Sequence, residues 1–181
     1  RRRSHVLQVV FGERMRLSHD QRAPCRAFWV GVAAPRVEPV TSRGTGVASP
    51  SNDPIPGTFE PNGVVAPFWD DLAAATGGGS AVIGNVFGTG STRHFTVQWT
   101  TMDLYGVAGA SVTFQARLFE TTNVIELVMC SATRGTDPAD IDLERGLDAT
   151  RGIENLTGTD GVQSSYNMAS ITAGEVVRYT P

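Results

Sequence analysis

The chain has 181 residues, 40% of them apolar and 18% charged, with a net charge of −3. One domain is the default at this length, and the composition excludes a coiled coil, a collagen and a charged disordered tail protein. No apolar run approaches the ~20 residues of a membrane span.

Charge is unevenly spread. All 15 basic residues are Arg, and nine of them fall within residues 1–43 against three acids (Glu13, Asp20, Glu38). That stretch therefore carries +6 and residues 44–181 carry −9. The basic stretch has no spaced aromatics for base stacking, so it does not read as a nucleic-acid arm. Residues 1–25 show no persistent period and are expected to form a basic tail without stable contacts. Residues 6–11 are too short for a signal h-region, and Glu13, Arg14 and Arg16 flank them wrongly for one. Cys25 and Cys130 allow one intramolecular disulfide at most. Without a CxxC or a Cys/His cluster there is no structural zinc site to expect.

Residues 34–63 are dense in Pro, Ser, Gly and Asn, which marks turns and extended chain. At most one short strand is expected between 26 and 46. Residues 64–69 (Val-Val-Ala-Pro-Phe-Trp) form an extended apolar run, and Pro67, lacking an N–H, belongs at an edge or a bulge. After the Gly77–Ser80 loop, residues 81–87 read as a strand and residues 88–91 as a turn. Residues 95–100 alternate with period two, so Phe95, Val97 and Trp99 face one way. The same pattern recurs at 112–118, with Val112, Phe114, Ala116 and Leu118 inward. It returns at 124–129 with Ile125, Leu127 and Met129 on one face, as the second arm of a hairpin. An acidic loop precedes a strand at 148–154. Asp160-Gly161 supplies a tight turn, and residues 175–180 close the chain. No segment holds a 3.6 period over three turns. The predicted fold is all-β, an antiparallel β-sandwich of about seven to nine short strands with an irregular N-terminal segment.

Several of these segments carry a resemblance. Pro61-Asn62-Gly63-Val64-Val65-Ala66-Pro67-Phe68-Trp69-Asp70-Asp71-Leu72 resembles the "PN-x-h-APFWDDL" segment of bacterial secreted and surface modules related to the nidogen-like domain. The segments around His94–Trp99, Phe114–Glu120, Gly152-Ile153-Glu154-Asn155, Gly158-Thr159-Asp160-Gly161 and Ser165-Tyr166-Asn167 follow in that family's order. The resemblance covers about residues 54–181 and implies a module over 26–181, with 26–53 a degenerate match. Phe28-Trp29-Val30-Gly31 and Val40-Thr41-Ser42-Arg43-Gly44 echo the family's "FPFYG" and "VSSNG" strands, with Arg43 in place of Asn. Arg151 replaces the apolar residue usual before "GIEN". The resemblance implies a non-catalytic binding or structural module, secreted or in the cell envelope. Its partners would be an extracellular protein or a glycan, and neighbouring domains of a longer chain would flank it. No catalytic residues come with the family.

The residues offer few sites of their own. Asp70 and Asp71 follow an aromatic pair. Neighbours on a strand point to opposite faces, which is poor geometry for glycosidase acids, and capping of a turn is the simpler role. Tyr105, in a Leu-Tyr-Gly loop, is the aromatic best placed for ligand stacking, whereas Trp69 and Trp99 lie on apolar faces. Asp70, Asp71 and Tyr105 are thus the ligand-binding candidates. Asp140, Asp142 and Glu144 alternate, and on extended chain they would offer hard oxygens to calcium from one side; the plainer reading is a solvated acidic loop. No cofactor is expected, calcium being the one ion these residues suit. His94 has no GxSxG partner motif and reads as a strand-end histidine. Asn155-Leu156-Thr157 fits a glycosylation sequon. The rival to a binding module is a carbohydrate-binding module or glycan-active enzyme using Asp70, Asp71 and loop aromatics.

Overall fold

The computed structural model describes residues 3–4, 7–8, 16–20 and 51–181, except 60 and 76. Among the described residues there is no α-helix. The strands are β1 (Arg3–Ser4), β2 (Leu7–Gln8), β3 (Arg16–Asp20), β4 (Val64–Trp69), β5 (Asp71–Ala74) and β6 (Ala81–Phe87). They continue with β7 (His94–Leu104), β8 (Ser111–Phe119), β9 (Ile125–Thr133), β10 (Thr150–Glu154), β11 (Gly161–Tyr166) and β12 (Val176–Thr180). One antiparallel sheet runs β1-β5-β7-β8-β9-β12-β3, with β6 also on β7; the other runs β11-β10-β4-β2. The all-β sandwich expected from period-two alternation is the fold.

The alternation also set the register correctly. Val97, Trp99, Val112, Phe114, Ala116, Ile125, Leu127, Met129 and Ile153 are buried, and Phe95 and Leu118 pack against them partly buried. Val65, Phe68 and Ile153 of the small sheet meet these side chains between the layers. A one-residue slip would have turned every one of them outward.

Bulges correct the pattern locally. Thr150 pairs with Trp69 but Gly152 pairs with Ala66, so Pro67 and Phe68 together oppose Arg151. The extra residue lets both Val65 and Phe68 face the core, and it places the proline at a bulge, as expected from its missing N–H. On β7 the extra residue lies between Trp99 and Met102, where Thr101 takes φ 47°. Above this bulge β7 pairs with β6, and below it with β5. On β9, Met129 and Ser131 pair with Phe114 and Thr113, leaving Cys130 as the bulged residue.

The expectation that residues 1–25 make no stable contacts is corrected. β3 pairs with β12 over five residues, β1 with β5, and β2 with β4. Sheet edges carry unpaired N–H and C=O groups, and these short strands satisfy them with backbone alone, which needs no side-chain period. The strand expected between 26 and 46, with Phe28 and Trp29, lies outside the described residues. So does Cys25; Cys130 is disulfide-bonded.

Residues 52–58 cover the outer side of the small sheet. Ile55 packs with Val64, Ala66 and Trp69, its N–H donates to Gln163 Oε1 at 2.9 Å, and Thr150 Oγ1 donates to the Asp53 carbonyl at 2.8 Å. Gly158 has φ 63°, and a Cβ there would collide with the Gly57 carbonyl. That close approach is the physical reason for a glycine opening the Gly-Thr-Asp-Gly turn.

Candidate functional site

Antiparallel order brings several connections to one end of the sandwich. They are the β4–β5 corner at Asp70, the β7–β8 loop at 105–110, the β9–β10 loop at 134–149, and the 167–175 segment before β12. Backbone hydrogen bonds tie them together. The Tyr105 N–H donates to the Asp71 carbonyl (2.9 Å), Thr136 N–H to Ala108 (2.8 Å), Asn167 N–H to Ala149 (3.0 Å) and Met168 N–H to Gly146 (3.2 Å). All six candidate residues, Asp70, Asp71, Tyr105, Asp140, Asp142 and Glu144, therefore lie at the same end, although they were argued from separate motifs.

Asp70 is a bend between strands, not a strand residue. Its Oδ1 accepts the Asp71 N–H at 2.7 Å, so it caps the corner where the chain leaves the small sheet for the large one. Burial pushes its carboxyl up to about 7, and the negative charges of Asp148 and Asp71 push the same way against that hydrogen bond. The corner thus sets two carboxylates, Asp71 and Asp148, around an Asp70 carboxyl whose burial favours the protonated form. Tyr105 stands beside it, 52% exposed, and Ile141, Leu147 and Met168 are exposed on the connected loops.

The calcium argument for Asp140, Asp142 and Glu144 needs extended chain. Instead Leu143–Arg145 form a 3-10 turn, entered through Asp142 at φ 61°, so the three carboxylates do not form one row. Asp142 pairs with Arg145 at 3.3 Å. Glu144 is buried, and its Oε2 has no hydrogen-bond partner among the described residues. Among the described residues no group of three or more His, Cys, Asp and Glu is placed to hold a metal ion.

Other candidates are structural. Trp69 and Trp99 are buried, as their faces required. His94 sits at the opposite end, its ring stacked between Phe87 (5.8 Å) and Phe119 (4.7 Å). The Asn155 Oδ1 of the sequon accepts the Thr159 and Asp160 N–H groups at 3.0 and 3.3 Å, which holds the turn.

Sequence reasoning missed one buried polar network. Arg151, flanked by the β4 bulge and by an extra residue, Ser164, on β11, reaches Glu175 at 2.8 Å. Its Nε donates to Ser164 Oγ at 2.9 Å, and Tyr179 O–H donates to the same oxygen at 3.1 Å. Burial pushes the Tyr179 phenol up to about 12. The network joins the small sheet to the start of β12 in the large one. Its signal was visible as an Arg where the resembled segment carries an apolar residue, but nothing in the sequence pointed 24 residues ahead to its partner.

No curated protein and no solved structure matches this chain. The "NIDO related" family model matches residues 41–181, more than half of the chain and the whole of the two-sheet core from β4 to β12. The chain accordingly belongs to the nidogen-related (NIDO-related) family.

Proposed function

We propose that this chain is a non-catalytic module, secreted or in the cell envelope of a bacterium, that binds an extracellular protein or a glycan through its loop end. The observation that carries the reading is the exposed Tyr105, fixed by its backbone to Asp71 beside the Asp70–Asp148 corner. An aromatic face next to carboxylates on a braced loop suits recognition, because loops vary while the scaffold stays rigid. The family itself suggests an extracellular structural or binding module. The disulfide at Cys130 fits an oxidising compartment. No helix among the described residues is long and apolar enough to cross a membrane.

The module works without a cofactor in this reading, so dialysis against EDTA should leave its melting temperature unchanged. Exposure of Tyr105 beside Asp70 and Asp71 favours a glycan as the second form of the same reading. Screening the purified chain on a glycan array and on panels of glycan, ester and peptide substrates separates these. Binding lost in Tyr105→Ala without any turnover supports the module. Turnover lost in Asp70→Asn or Asp71→Asn, with the fold retained, would show an enzyme instead.

A further inference from the structure

The loop end carries a second surface beside the Tyr105 corner. Backbone hydrogen bonds fold residues 141–149 and 167–171 into one platform. The Leu147 N–H donates to the Asp142 carbonyl (3.3 Å), the Met168 N–H to the Gly146 carbonyl (3.2 Å) and the Ile171 N–H to the Arg145 carbonyl (3.0 Å). Ile171 is buried in the core and Leu143 packs against that core, so the platform is rooted in the sandwich. Gly146, at φ 86°, permits the close packing, because a Cβ there would strike Ile171 Cδ1. Three large side chains of the same platform stay in solvent. Ile141 is 52% exposed, Leu147 39% and Met168 58%. Each belongs to one of the bonded pairs or adjoins one, so the three share one surface. Single exposed apolar residues are ordinary, but three on one braced surface gain nothing from folding.

Charge of one sign surrounds that surface. The loop 134–149 holds five acids (Asp137, Asp140, Asp142, Glu144, Asp148) against two Arg (Arg134, Arg145), a balance of −3. Arg145 pairs with Asp142 at 3.3 Å, and residues 167–173 add no charge of either sign. Two copies of the chain would bring the same acids together, which disfavours a second copy as the occupant. A sugar is a poor match as well. Sugar rings stack on flat aromatic faces, whereas these three side chains are aliphatic or a thioether, the kind that repacks against apolar side chains of a protein.

We propose that this platform binds a cationic segment of a partner polypeptide. Apolar side chains of the partner cover Ile141, Leu147 and Met168, while its flanking Arg or Lys residues meet Asp137, Asp140 and Asp148. The proposal rests on the loop-end reading and makes the partner a protein. An apolar centre within a charged rim is the anatomy of a protein interface: the centre supplies affinity, and the rim supplies orientation and on-rate. Asp137 and Asp148 are exposed and Asp140 is half-buried, so the rim stays hydrated. Salt therefore weakens the contact by screening the rim but leaves the apolar centre intact.

The test is selection of a random-peptide phage library on the immobilised full chain, followed by fluorescence anisotropy with the selected peptide. Enriched sequences should combine apolar residues with flanking Arg or Lys. Ile141→Ser and Met168→Ser should each weaken the selected peptide about five- to tenfold, at low and high salt alike. Asp137→Asn with Asp140→Asn should instead slow association and flatten the salt dependence. Asp137→Asn keeps an acceptor for the Ala139 N–H. All four positions are exposed or half-buried, so the variants should melt with the wild type. Enrichment of acidic or uncharged sequences, or of none, would overturn the proposal. So would a basic peptide indifferent to Ile141→Ser and Met168→Ser, because charge alone would then hold it. Glycan binding lost in Tyr105→Ala, with no basic peptide enriched, would sink the proposal and leave the loop-end module standing. Binding on neither glycan array nor library would remove both.

Discussion

Asp70 shows how one residue couples site and stability. Its folded value, about 7, lies above the ordinary 3.8. A raised acid binds more protons in the folded state, so stability falls as pH rises through the window from about 4 to 7 and is level above it. The wild type should melt higher at pH 5 than at pH 8. Asp70→Asn should flatten that difference, as thermal melts across the range would show. An unchanged slope would mean that the Asp70 carboxyl is not held out of water. Arg151 makes the opposite kind of test. Arg151→Ala breaks the buried ion pair with Glu175, which should cost about 3–5 kcal/mol in denaturant unfolding. Adding Glu175→Gln removes the buried charge but keeps an acceptor for the Thr172 N–H, so the double variant should recover part of the loss.

At the scale of the element, the first twenty residues change their meaning. By composition they are a basic tail, yet β3 lies along β12 over five pairs. Deleting residues 1–20 should therefore lower the melting temperature by several degrees, since each 1 kcal/mol lost shifts a chain of this size by about 2–4 °C. A truncated chain that melts with the wild type would restore the tail reading. β7, β8 and β9 were legible because one face is apolar and the other polar, which prints a two-residue period. β3 was not, because a strand at an edge needs only backbone partners, and its sequence Arg-Leu-Ser-His-Asp has no apolar alternation.

In the whole molecule, Phe114 is the joint between layers. Its ring stacks on Phe68 of the small sheet at 5.9 Å and on Trp99 of its own sheet at 5.1 Å. Phe114→Ala should cost about 3–5 kcal/mol in equilibrium unfolding, because packed surroundings on both sides cannot collapse into the cavity. A cost under about 1 kcal/mol would mean that the layers are not locked at this point. Hydrophobic period, turn residues and the Ala-Pro-Phe-Trp-Asp-Asp segment were sufficient, by themselves, to specify an all-β sandwich, its register and its family. Each is a local property, and burial of one strand face constrains residues two apart whatever the rest of the chain does. The convergence of Asp70, Tyr105 and Asp148 and the Arg151–Glu175 pair were decided only in the tertiary structure. They depend on which loops share an end and on which residues far apart in sequence meet across bulges. None of these distances is written in local spacing.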